Sequence, residues 1–160
     1  MIKIILPKHI EVQIKQELEE AGRREIGGVL MGEHVKKNTF RISDITVQRR
    51  GGTVITFIRN IKESLQKLRE FFKRTNHQYK QYNYLGEWHS HPSFSLSPSM
   101  QDQKSMWEIV NDTTVGANFV VLLLVKLNNE NIEGDVSLFL RGYPMVNGDL
   151  LREEQVNDQE

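Results

Sequence analysis

The order of apolar patterns in this chain predicts an α/β fold, three layers deep (α/β/α) around a central mixed β-sheet. Three observations carry the prediction. Short β-branched runs alternate with longer runs of helical period. The last two strand-like runs are joined by a polar turn, as a hairpin would be. A length of 160 residues suits one domain with one sizeable core.

Residues 2–6 read as the first strand. Pro7 suits the first turn of a helix, Ile10, Ile14 and Leu18 recur every fourth residue, and Gly22 caps that helix. Residues 25–32 read as a buried strand centred on Val29, Leu30 and Met31. Gly27 and Gly28 inside it signal a close backbone approach or a bulge. Residues 40–47 alternate imperfectly, which a bulge would explain. Gly51-Gly52 marks a turn, and residues 53–58 are β-branched and strand-like. Ile61, Leu65, Leu68 and Phe72 trace one helical face. Residues 82–91 read as a further strand, and Ser97-Pro98 opens a helix running to about Asn111. Residues 117–126 and 136–141 read as two strands around a turn containing Asn128, Asn129, Asn131 and Gly134. The domain is placed at residues 1–146, and residues 147–160 read as a polar, mostly acidic, flexible tail.

Composition excludes several function classes. The 21 Lys and Arg balance the 21 Asp and Glu, so the chain lacks the cationic excess of a general nucleic-acid or anionic-membrane binder. Cysteine is absent, which excludes a disulfide framework, thiolate-ligated zinc and a cysteine nucleophile. The apolar run at 119–125 is far too short to span a bilayer, and the N-terminus reads as a strand rather than a signal peptide, so a cytoplasmic location is the expectation. The stretch from Val47 to Lys80 is strongly basic. It reads as a solvated helix surface or as a docking face for an acidic protein partner. Tyr79, Tyr82 and Tyr84 cluster beside it and read as core or as partner contacts.

The chemistry concentrates in Gly86-Glu87-Trp88-His89-Ser90-His91-Pro92 and the following Ser97-Pro98-Ser99-Met100-Gln101-Asp102. His89 and His91 are two apart, so a strand puts both imidazoles on one face, close enough to share an ion. Ser99 and Asp102 are three apart near a helix N-terminus, whose dipole favours an ionised carboxylate. Two imidazoles and one carboxylate make an open three-ligand zinc site, with water in the fourth position. Glu25, at the edge of a buried strand, reads alone as a strand-edge acid, and beside the metal motif it is the natural candidate for the base that water needs. Glu87 lies by alternation on the His89 side of its strand, where it can partner a ligand histidine. His9, His34 and His77 read as surface residues, and Trp88 and Trp107 as core or groove-wall aromatics.

His-x-His-Pro, a Ser-x-x-Asp beginning eight residues after the second His, and an upstream Glu-Ile-Gly-Gly-Val-Leu-Met-Gly resemble the JAMM motif of the JAB/MPN metallopeptidases. The resemblance covers roughly residues 25–125 and is greatest to compact bacterial members. These are often encoded beside ubiquitin-activating-like and ubiquitin-conjugating-like enzymes, including in antiphage defence operons. It implies a cytidine-deaminase-like JAB/MPN architecture and one zinc per chain on His89, His91 and Asp102. It implies Glu25 as catalytic base and Ser99 as oxyanion donor. The implied reaction is hydrolysis of a peptide or isopeptide bond at the C-terminus of a ubiquitin-like or other conjugated protein. A conjugating-enzyme-like or nucleotidyltransferase-type partner is implied, and neither nucleic acid nor membrane. Eukaryotic deubiquitinating members carry long insertions beside the groove. Here the link at 112–116 is short, which favours a smaller or pre-docked substrate.

Two alternatives come from other classes. Catalytically silent MPN scaffolds lack part of the motif, and this chain has all of it. RadC-like DNA-associated proteins share His-x-His-Pro but usually have Asn between the histidines, where this chain has Ser90. Cleavage of a C-terminal extension from a sulfur-carrier protein would use the same residues. A cytidine-deaminase zinc site fails for want of cysteine ligands.

Overall fold

The computed structural model describes residues 1–49 and 61–153, with the backbone alone at 61–63. Seven strands are present among these: β1 (Lys3–Leu6), β2 (Gly27–Lys36), β3 (Thr39–Ile45), β4 (Tyr82–Ser90), β5 (Phe119–Asn128), β6 (Asn131–Leu140) and β7 (Val146–Arg152). The described helices are α1 (Lys8–Ala21), α2 (Ile61–Arg74) and α3 (Met100–Asn111). The turn and strand read at 51–58 lie outside the described residues.

The sheet is a closed barrel in the order β1-β3-β2-β4-β5-β6-β7, so the predicted α/β/α sandwich on an open sheet is wrong. Closure depends on β1, which pairs in parallel with β3 on one side and with β7 on the other. Residues 147–152, read as the start of a flexible tail, belong to β7, and without them the sheet would have two free edges. Full closure leaves no unpaired row of backbone groups. β4 and β5 form the other parallel pair, and the remaining neighbours are antiparallel.

Helices cover both faces of this sheet. On α1, Ile10, Ile14 and Leu18 share a cluster with Leu30, Trp88, Val121, Leu123 and Val125. On α3, Met106 and Val110 pack with Val120, Leu122, Leu124 and Phe139. Phe71 of α2 meets Val29 and Met31, again the face opposite α1. Strand β5 is therefore buried on both sides, which is why its sequence is continuously apolar instead of alternating. Gly22 is the C-cap of α1 as expected, at φ 61°, whereas Pro7 is the extended N-cap, one residue before the first turn in which it was expected. The α3 cap differs from expectation. Ser99, not Ser97, is the N-cap, because only Ser99 has an acid three residues on to close a reciprocal capping box.

Gly28 bears out the reading of a close approach. A Cβ there would sit 2.0 Å from the Thr46 carbonyl oxygen, an atom already bonded by the Trp88 Nε1–H at 2.9 Å. Thr46 Oγ1 also accepts the Val29 N–H at 2.8 Å, so this backbone is pinned from two sides. Gly28→Ala should therefore destabilise the fold by about 4 kcal/mol or more, well above the usual single-substitution range. Urea unfolding with a midpoint equal to that of the unaltered chain would show that the 46–48 segment yields.

Candidate metal centre

Strand β4 runs between β2 and β5, with His89 opposite Gly27 on one side and Leu124 on the other. The ladder continues past the strand end. Ser90 N–H donates to the Ile26 carbonyl (2.8 Å), the Ile26 N–H donates to Ser90 Oγ (2.9 Å), and His91 N–H donates to the Val125 carbonyl (2.9 Å). Continuing that register sets Glu25 opposite His91. Glu25 is half-buried, and its charge acts on the His91 ring.

After Pro92 the chain folds back. His91 Nδ1 lies 2.9 Å from the Ser95 carbonyl oxygen, which can only accept, so Nδ1 carries a proton and Nε2 is the nitrogen turned toward Asp102. The Phe94 ring packs against the His91 imidazole at 4.4 Å between centroids. Helix α3 then begins at Ser99. The Asp102 N–H donates to Ser99 Oγ at 3.0 Å, and the Ser99 N–H donates to Asp102 Oδ2 at 2.8 Å. That cap aims the Asp102 carboxylate at the end of β4.

The result gathers three of the residues named from the sequence. His89 Nδ1 is 3.4 Å from Asp102 Oδ1, and His91 Nε2 is 3.3 Å from Asp102 Oδ2. One ligand atom from each lies within 4.8 Å of the others, and all three side chains are buried. Burial alone would raise the Asp102 pKa. Hydrogen bonds from His89, His91 and the Ser99 N–H outweigh it and hold the carboxyl well below the usual range. Burial likewise opposes a charge on His91, but its bonds to Asp102 and Ser95 win, and its pKa is raised. The donor set, two imidazoles and a carboxylate with no thiolate, fits a catalytic zinc ion. The Ser95 carbonyl supplies the outer bond that fixes a ligand histidine's tautomer.

Ser99 sits at the same corner, with its side chain exposed and engaged in the cap. His9, His34 and His77 are exposed and away from the cluster. Sequence reasoning missed Ser90, whose hydroxyl fastens the Glu25 segment, and Ser95, whose contribution is a backbone carbonyl that no side-chain pattern reveals. Glu87 takes its hydrogen bond from the Tyr84 hydroxyl at 2.9 Å. Burial pushes the Glu87 carboxyl up to about 8, with the Tyr84 bond pulling the other way.

A closed mixed barrel brings two histidines and an aspartate into one buried corner, a group that could hold a metal ion, with a glutamate across the ladder. The chain belongs to the prokaryotic homologs of the JAB domain, the family pattern matching residues 7–138. That family includes hydrolases. Among solved structures, the solution structure of protein DSY2949 from Desulfitobacterium hafniense is similar to this chain. It has 15% identity and a TM-score of 0.63, with 94% of this chain and 92% of that one covered. At that identity the likeness shows the fold alone. No curated protein matches the chain.

Proposed function

We propose that this protein is a zinc-dependent peptidase or isopeptidase that cleaves at the C-terminus of a ubiquitin-like or other conjugated protein. The observation that carries the reading is the buried His89, His91 and Asp102 cluster, with Glu25 set opposite His91 by the continued β2–β4 register. A zinc ion held by those three side chains would supply a Lewis acid that polarises the scissile carbonyl and acidifies the attacking water. Glu25 takes the proton as the water oxygen attacks the carbonyl carbon. Ser99 Oγ accepts the Asp102 N–H and still has its own O–H to donate, which it directs to the developing oxyanion. One such donor is typically worth about 2.7–4 kcal/mol. When the C–N bond breaks, Glu25 returns the proton to the leaving amine.

The substrate, a conjugating-enzyme-like or nucleotidyltransferase-type partner, a role in antiphage defence and a cytoplasmic setting belong to the same proposal. Support for them is family kinship. No helix among the described residues is long and apolar enough to cross a membrane.

The test is metal removal. Purified protein should carry about one zinc per chain. It should cleave a ubiquitin-like protein fused through its C-terminus, lose that cleavage on chelation and regain it with added zinc. Cleavage that survives complete chelation would defeat the metal mechanism. Zinc without cleavage would favour the scaffold reading.

A further inference from the structure

The two histidines of the candidate metal centre are held in different ways. His89 lies inside β4, with a backbone neighbour on each side, Gly27 of β2 and Leu124 of β5. His91 lies just beyond the end of β4, and Pro92 after it has no N–H with which to extend the ladder. The orientation of its ring therefore depends on the turn that follows. Residues 92–99 form neither helix nor strand, and they fold back over the imidazole. Leu96 anchors this turn by packing against the cluster of Met106, Val110 and Leu122. The capping box of Ser99 and Asp102 closes its far end. Between Pro92 and Leu96, the Ser95 carbonyl meets His91 Nδ1, and the Phe94 ring lies on the imidazole with 4.4 Å between centroids and 38° between planes. Phe94 is 46% exposed and belongs to none of the apolar core clusters. A ring that stays half in water gains little from burial. Its contact with His91 is what sets its place.

We propose that Phe94 is a positioning residue for the metal centre: its ring, with the Ser95 carbonyl, holds the His91 imidazole so that Nε2 stays turned toward Asp102 before any metal arrives. The bond at Nδ1 fixes one point of the imidazole, about which the ring can still tilt. A contact on the ring face removes that freedom, and an aromatic pair adds modestly to what area burial supplies. Without Phe94 the imidazole populates other orientations. Metal binding must then give them up, and affinity falls in proportion to the competent fraction. The ring also covers one face of the imidazole, which slows release of a bound ion. This role rests on the metal-centre part of the hydrolase reading, not on cleavage or on any substrate.

Zinc itself is the probe. Metal-free native and variant chains are titrated with zinc against a chromogenic chelator of known affinity, and release from the loaded proteins is timed in excess chelator. Phe94→Ala should raise the zinc Kd by about two- to tenfold, the range of one aromatic contact, and should release the ion faster. Phe94→Tyr, which keeps the ring, should restore the native values. Phe94→Leu, which keeps apolar bulk without a flat face, should fall between. Urea unfolding of the metal-free proteins reads the fold separately, and Phe94→Leu carries the comparison if Phe94→Ala does not fold. Equal Kd and release rate in the native, Leu and Ala proteins overturn the proposal, and a rise in KM alone would then make Phe94 a substrate contact. Affinity lost as fully in Phe94→Tyr as in Phe94→Ala also overturns it, because the ring would not be the cause. The hydrolase reading fails in a different way. A native chain that binds zinc more tightly than Phe94→Ala but cleaves no conjugate keeps the positioning role and removes the hydrolase. A native chain that takes up no zinc removes the metal centre, and this role with it.

Discussion

Glu25→Ala is expected to lower kcat by about 10²–10⁴-fold, the usual contribution of a positioned general base, and to leave zinc content and the unfolding midpoint unchanged. The structural half of that expectation follows from where Glu25 sits. It lies just before β2, in a segment held by backbone and Ser90 bonds at Ile26, none of which uses the Glu25 side chain. The metal half follows from the donor set: among the described residues the ligand atoms gathered together are those of His89, His91 and Asp102, and Glu25 is not one of them. Turnover kinetics, zinc by mass spectrometry and thermal unfolding on the same preparation check all three. Zinc lost along with activity would make Glu25 a ligand, and activity retained would place the base elsewhere.

How much of this was legible beforehand depends on the range over which each signal acts. The His89 and His91 pair was readable because strand period two is local and needs no knowledge of neighbours. Asp102 was readable because a helix start is signalled within a few residues, although the cap itself moved from Ser97 to Ser99. Barrel closure was not readable. β7 contains Asn147, Gly148 and Asp149, is half-exposed along most of its length, and owes its place to pairing with β1 at the far end of the chain. A strand made by a partner about 145 residues away leaves little trace in its own composition. The Tyr84–Glu87 contact was hidden for a different reason. Simple alternation puts Tyr84 on the Trp88 face, and one bulged residue reverses that. The family likeness supplied the roles of Glu25 and Ser99, which spacing alone leaves open.

Asp102 is the residue whose loss should do the most damage, because three functions converge on one carboxylate. It faces both histidines, it accepts the Ser99 N–H, and its ionised form is strongly favoured in the fold. Asp102→Ala should lose zinc and activity outright. It should also cost about 1 kcal/mol more from the broken helix cap. Asp102→Asn separates the terms. Its amide oxygen can still accept the Ser99 N–H, so α3 stays capped, but it is a neutral and poor metal ligand. The expected ranking in metal-free protein is the native chain above Asn, and Asn above Ala, with zinc absent from both variants. The pH dependence has a definite sign. A carboxyl whose folded pKa is depressed adds stability that is present above its unfolded value, near 3.8, and is lost as pH falls through that range toward the lower folded value. Metal-free native protein should therefore weaken on acidification below about pH 4, and Asp102→Asn should show a shallower acid limb. Urea unfolding across pH, run with zinc quantified in parallel, reads every term. An Asn variant that keeps stoichiometric zinc would remove Asp102 from the ligand set while leaving its capping role intact.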